Sequence, residues 1–350
     1  MSKVRIGFVG VGGMGQCAHL KNYVTVPDCE VVALAEARQE LGRMVAAKYA
    51  VPHVYASHED LIANENLDAI VSAQPFTRHG TLLPDLLKAG IPLFTEKPLA
   101  GSIEMGEKII TALKAGGSWY MLGYHKRSDP ATMYAKGLVD QWKASGEFGK
   151  LKYVRILMPA GDWVAGGFND LVHSDEPYPS LKWDPPASDM NKETNDQYIA
   201  FVNYYIHQIN LMRHLLGEPY HVMHADPSGV LLTVQSDTGI CGVIEMSPYT
   251  TTVDWQEQYL IAFEHAYIKV QLPAPLSSNR PGILEVFKDP GNGVTPVAEI
   301  PSLPWVHAMR QQAINFVDAV KGERKPMCEA AEALEDLINA REYIRIWKSR

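Results

Sequence analysis

The sequence predicts an α/β protein in two parts: an N-terminal doubly wound parallel sheet, then an α+β domain with an open, largely antiparallel sheet. Three observations carry this. As far as residue 124, short apolar runs alternate with helical stretches, the pattern of βαβ units. Between 219 and 300, short segments rich in β-branched and aromatic residues are separated by turn signals such as Asp226-Pro227-Ser228-Gly229 and Ser236-Asp237-Thr238-Gly239. The length of 350 residues suits about two domains, here 1–124 and 125–350.

Val4–Gly10 reads as a buried parallel strand and Met14–Val24 as a helix. A second apolar run, Glu30–Glu36, precedes a helical stretch over Arg38–Ala47. Ser57 with Asp60 resembles a capping box ahead of Leu61-Ile62. Asp68–Ser72 is a strand, Thr81–Ala89 a helix stopped by Gly90, Ile91–Phe94 a strand, Ser102–Ala115 a helix and Trp119–Leu122 a strand. Beyond this, Asp129–Ala144 is helical and Lys152–Met158 alternates as a strand. Residues 159–194, rich in Pro, Asp, Gly and Trp, read as a long loop, and Asn195–Leu216 as a long helix ending at Gly217. Helices over Trp305–Val320 and Glu329–Trp347 close the chain, and the last helices are free to pack back on the first domain.

Hydrophobic residues make up 46% of the chain and charged residues 21%, which excludes a disordered or collagen-like protein. A net charge of −8 argues against nucleic acid and anionic membranes as partners, because both demand a basic face. No apolar run reaches the ~18 residues of a membrane span. Cys17, Cys29, Cys241 and Cys328 form neither a metal clip nor a redox pair. The pairs His53/His58, His221/His224 and His173/Asp175 lack a third ligand, so no metal is expected. With no signal-peptide pattern at the start, a reducing cytoplasm is the expectation.

Gly10-Val11-Gly12-Gly13-Met14-Gly15 fits G-x-G-x-x-G between a strand and a helix, the context that makes it a dinucleotide fingerprint. The first glycine allows the turn, the second admits the pyrophosphate and the third lets helix and strand pack closely. Glu36, 21 residues past Gly15, stands where an acid holds the adenine-ribose hydroxyl, which favours NAD and disfavours NADP. Arg38 is the competing phosphate partner, or else a solvated helix start.

Thr95-Glu96-Lys97-Pro98 follows a strand at the edge where open α/β sheets bind ligands, so Glu96 and Lys97 join the cofactor-side candidates and Lys97 can orient a substrate hydroxyl. On the long helix, Asn203, His207 and Asn210 fall on one stripe. Two readings stand for that stripe: a hydrogen-bonded core histidine, or a general base facing a cleft between domains. His214, one turn further on, is read as a partner of the helix dipole. The 159–194 loop, with Trp163, His173, Asp175, Tyr178, Lys182 and Trp183, is either a cover over the substrate or an arm between subunits.

The fingerprint, Glu96-Lys97-Pro98, the Gly123-Tyr124-His125-Lys126-Arg127 segment, the His207–Gly217 helix and a closing helix pair with Phe316, Gly322 and Pro326 occur in the order of one family. Over essentially its whole length the chain resembles the Gfo/Idh/MocA oxidoreductases: glucose–fructose oxidoreductase, inositol dehydrogenase and relatives. The resemblance implies a Rossmann domain followed by a domain whose open sheet often mediates oligomerisation, here as a homodimer or homotetramer. It implies catalytic roles for Lys97 and His207. Asn203 stands where the family often has aspartate, Tyr205 where it often has glycine, Asn210 for a frequent aspartate and His125 for a common asparagine. The change at Asn203 removes a charged partner of Lys97 and shifts its work toward Tyr204 or His125. Candidate substrate contacts are His125, Arg127, Trp163, His173, Asn203 and His207; catalytic candidates are Lys97, His207, Tyr204 and Asn203.

The expected function is NAD-dependent oxidation of a secondary hydroxyl on a cyclic sugar, glycoside or polyol. The alternatives are a glycosidase using NAD by transient oxidation, elimination, hydration and re-reduction, for which Tyr204-x-x-His207 resembles a Tyr–His pair, and a non-catalytic dinucleotide-sensing regulator. Retention of both Lys97 and His207 counts against the regulator.

Overall fold

The computed structural model describes residues 3–349. It has two compact units. The first comprises the chain up to Tyr124 together with 166–202 and 309–337, and the second comprises 125–165, 203–308 and the chain from Ile338.

The first unit is built on a six-stranded parallel sheet: β1 (Val4–Val9), β2 (Cys29–Ala35), β3 (His53–Tyr55), β4 (Ala69–Ser72), β5 (Leu93–Glu96) and β6 (Tyr120–Gly123), in the order β3-β2-β1-β4-β5-β6. The central strand β1 is apolar on both faces because the sheet is covered on both sides. The first crossover is a π-helical turn, Gly15–Leu20, continued by Lys21–Tyr23 (together α1). The other helices of this series are α2 (Gln39–Tyr49), α3 (His58–Asn64), α4 (His79–Leu87) and α5 (Ile103–Gly116). Ser57 accepts the Asp60 amide at 3.1 Å, as its spacing predicts, and Ser102 likewise accepts the Met105 amide at 3.3 Å. The three-residue edge strand β3 lies between the predicted elements.

The second unit carries α6 (His125–Ser128), α7 (Pro130–Ser145) and an eight-stranded sheet. Its strands are β7 (Leu151–Ala160), β8 (Tyr220–Ala225), β9 (Leu231–Ser236), β10 (Cys241–Thr250), β11 (Glu257–Phe263), β12 (Ala266–Leu272), β13 (Ile283–Lys288) and β14 (Val297–Glu299). Their order is β14-β13-β12-β11-β7-β10-β9-β8, antiparallel throughout except for the β7/β10 pair. α8 (Lys192–Leu216), α9 (Ala308–Val320) and α10 (Ala330–Lys348) complete the chain.

Two stretches beyond residue 124 group with the first unit. The closing segment joins it through Phe316, whose ring meets Phe94 at 5.4 Å and Trp119 at 5.6 Å, and through the Leu122 amide, which donates to Cys328 at 2.9 Å. Within the 159–194 loop, residues 166–184 lie as a strap on the first unit. The buried Gln16 side chain donates to the Val172 carbonyl at 3.1 Å and accepts from the Val172 amide at 3.0 Å, pairing with the strap as a peptide group would.

Candidate functional site

In the first unit the glycine loop leaves β1 and enters α1. Gly10 has φ of +91°, and a side chain there would meet the Ala73 carbonyl at 2.8 Å. A Cβ on Gly15 would lie 2.6 Å from the Gly10 carbonyl, so the helix can approach the strand only without one. Gly12 differs: the nearest atom to a Cβ built there is the tip of Arg38, 3.8 Å away. No backbone constraint demands glycine at that point, and the space it leaves is what a pyrophosphate approaching the loop requires. Gly13 lies under the Phe168 ring, 3.7 Å from its would-be Cβ, and Met14 continues the turn into α1.

Glu36 follows β2 and is 6% exposed. One carboxylate oxygen accepts the Val11 amide at 3.1 Å; the other accepts the Arg38 amide at 3.1 Å and its Nε at 3.0 Å. Arg38 is thus folded back on the acid at the start of α2, not projecting into solvent. A dinucleotide fits these residues: open space at Gly12, amides at the loop and a carboxylate at the end of β2 where a ribose diol can be accepted.

At the carboxyl edge of β5, Glu96 is held by two contacts. His19 Nε2 lies 2.8 Å from one of its oxygens, and the Lys97 amide donates to the other at 3.2 Å. His19 is buried against Phe94, ring centroids 5.3 Å apart. The half-buried Lys97 follows directly, and the Lys97–Pro98 peptide is cis. His19 was not singled out from sequence; its signal is its position four residues past Gly15 on α1.

In the second unit the stripe on α8 faces α6. The rings of His125 and His207 meet edge to face with centroids 4.6 Å apart. Arg127 Nε donates to Asn210 at 2.7 Å, so the third member of the stripe holds a guanidinium. Asn203, at the other end, is exposed. Tyr204 turns elsewhere: its ring packs on Tyr205 at 5.0 Å and against the Met158–Trp255–Ala274 cluster, and burial raises its hydroxyl above the ordinary range. Of the two residues expected to share work with His207, it is His125 whose ring meets it.

Behind α6 lies a charged group that sequence reasoning missed. Lys126 is buried and paired with Glu257, whose other oxygen accepts Gln208 at 2.7 Å. Burial lowers the Lys126 pKa, opposed by Glu257. Asp129 caps α7, accepting the Ala131 amide at 2.8 Å and the Gly282 amide at 3.0 Å. Burial pushes its carboxyl up to about 6 against those hydrogen bonds. Burial, together with Arg127, Lys136 and Arg213, holds His214 well below the ordinary histidine range.

Of the loop candidates, Trp163 belongs to the second unit and is exposed, with its carbonyl accepting the Leu276 amide at 3.3 Å. His173 belongs to the first, exposed on the strap. Among the described residues, no three His, Cys, Asp or Glu side chains are grouped to hold a metal, and no helix is long and apolar enough to cross a membrane.

Residues 4–124 match the GFO_IDH_MocA model, described as an oxidoreductase family with an NAD-binding Rossmann fold. The chain is 24% identical over 260 residues to a scyllo-inositol 2-dehydrogenase (NAD(+)) of Bacillus subtilis, covering 70% of this chain and 67% of that one. It is 32% identical over 149 residues to an inositol 2-dehydrogenase of Rubrobacter xylanophilus, a match spanning 42% of this chain and about two-fifths (41%) of the relative. Among solved structures, a UDP-N-acetylglucosamine 3-dehydrogenase of Acidithiobacillus ferrooxidans superposes with a TM-score of 0.71 at 16% identity, covering 100% of this chain and 99% of that one, a likeness of fold. The family match thus holds for residues 4–124, an NAD-binding Rossmann domain of the Gfo/Idh/MocA oxidoreductase type.

Proposed function

We propose that this protein is an NAD-dependent dehydrogenase of a cyclic polyol or sugar, acting on a secondary hydroxyl. The observation that carries the reading is Glu36: a buried carboxylate at the end of β2, fixed by the Val11 amide of a glycine loop with open space at Gly12. A carboxylate there accepts a ribose diol and repels a 2′-phosphate, so NAD is favoured over NADP. The names of the inositol dehydrogenase relatives support a polyol or sugar as substrate.

Gly10–Gly15 and Glu36 would hold the dinucleotide. A bound nicotinamide supplies the hydride acceptor. His207 takes the hydroxyl proton as general base, and the His125 ring against it fixes its orientation. Lys97 orients the hydroxyl and stabilises the alkoxide charge as it develops. Arg127, anchored by Asn210, supplies a directed cation for substrate oxygens.

The test is incubation of the protein and NAD with inositols, free sugars and aryl glycosides, following reduced cofactor and aglycone release together. A dehydrogenase accumulates reduced cofactor in proportion to product. Aglycone release with no net reduced cofactor contradicts this reading and supports the glycosidase. No turnover on any member, with NAD bound, supports the sensor.

A further inference from the structure

The strap touches the first unit on both sides of β1. On the β2 side, Arg38 stacks over the Tyr178 ring at 5.4 Å, and Glu176 accepts the Leu41 amide at 2.8 Å. On the β4 side, Asp184 accepts the Gly80 amide at 2.8 Å and the Thr81 hydroxyl at 2.7 Å. Because β1 lies between β2 and β4 in the sheet, residues 178–184 must pass from one side to the other across the carboxyl edge of β1. That edge is where the adenosine half of a dinucleotide lies in this fold.

Two groups near that edge could attract a 2′-phosphate: the Arg38 guanidinium and the first amides of α2. Both already face a carboxylate. Glu36 holds Arg38, and Glu176 of the strap sits on α2, whose own N-cap residue, Arg38, makes no side-chain cap. Burial opposes ionisation of Glu176, but the Leu41 and Glu40 amides, the Ser174 hydroxyl and Arg43 together hold its carboxyl below the usual range, so it is charged at neutral pH.

We propose that the strap 166–184 is the outer wall of the adenosine site and that Glu176 on it is a second determinant of cofactor choice, selecting against the 2′-phosphate. This rests on the dinucleotide reading above. Tyr178 offers an aromatic face to the adenine, and Glu176 places a fixed negative charge on the amides that a phosphate would use. A simple structural role for Glu176, capping α2 and docking the strap, differs in its consequence: it needs an acceptor, not a charge.

The experiment is calorimetric titration of NAD and NADP into the wild-type chain, Glu176→Gln and Glu176→Ala. Gln keeps an acceptor for Leu41 and removes the charge. The inference predicts NADP affinity rising about tenfold in Glu176→Gln, the scale of relieving a like-charge contact, with NAD affinity unchanged. It also predicts that NAD slows amide hydrogen exchange over 174–184 in the wild type. An NAD-preferring wild type whose preference is unaltered in Glu176→Gln, or whose strap exchanges equally with and without NAD, overturns the inference alone. A wild type that binds NADP the tighter overturns the cofactor reading as well. If Glu176→Ala weakens both cofactors while Glu176→Gln changes neither, the residue is only a cap and the inference fails.

Discussion

Asp129 shows how a single buried carboxylate couples the second unit to pH. Its carboxyl, at about 6, lies above the unfolded aspartate value of about 3.8, because burial outweighs the amides of Ala131 and Gly282. Between those values the folded state binds more protons than the unfolded state, so stability falls as pH rises. The contribution is complete below about pH 4 and lost by about pH 7, and a shift of about two units corresponds to roughly 3 kcal/mol. Asp129→Asn keeps one acceptor for the cap and removes the titration. Urea melts at pH 4 and 7 should show the variant gaining about 3 kcal/mol on the wild type across that interval; a constant difference would mean that Asp129 stays ionised throughout. The same residue marks where sequence reading stops. Gly10 and Glu36 could be named as candidates from the spacing of the glycine fingerprint, whereas the roles expected of Lys97 and His207 came from the family resemblance. Lys126–Glu257 and His19–Glu96 join residues 131 and 77 positions apart, and no local pattern announces a pair that only the fold creates.

At the scale of elements, most helices and strands were legible from periodicity, and caps sharpened several boundaries. Ser57 and Ser102 stand one residue before helices α3 and α5, as their chemistry requires. What escaped was short or dictated from outside. β3 is three residues long with His53 exposed, too little for an alternation to register. The first crossover was read as an ordinary helix, but its Gly15–Leu20 turn is π-helical. The strap has no regular structure because its hydrogen bonds go to Gln16, Leu41 and Gly80, partners that sequence spacing cannot name. The glycine loop makes an element-scale prediction. Gly15→Ala puts a Cβ 2.6 Å from the Gly10 carbonyl and must push α1 away from β1. Overpacking of this kind costs about 1–3 kcal/mol, and displacing the loop amides should weaken NAD binding in the same variant. Thermal melts and titrations giving wild-type values for both would show that α1 shifts freely.

For the whole molecule, the fold class was legible because two kinds of periodicity occupy two stretches of chain. Unit membership was less so: 166–202 and 309–337 join the first unit through contacts with residues far earlier in sequence. The second sheet alternates buried positions such as Val154, Ile156 and Ile244 with less buried ones such as Tyr153, Val243 and Leu260, so one face is well covered and the other is not. We expect that second face to pair with another copy, giving a homodimer or homotetramer. Light scattering at micromolar concentration should return a multiple of 38.8 kDa; a mass at the monomer value refutes it.

The proposed chemistry needs His207 to take the proton of the polyol hydroxyl and Lys97 to orient that hydroxyl as hydride leaves. Turnover of the wild type, Lys97→Ala, His207→Ala and the double variant on the substrate identified by the panel, with NAD affinity measured alongside, tests it most directly. Each single variant should lose about 10²-fold or more in turnover, the scale of a positioned acid or base. NAD affinity should be almost unchanged, and the double variant should be little worse than either alone. A His207→Ala variant that turns over at the wild-type rate contradicts the assignment.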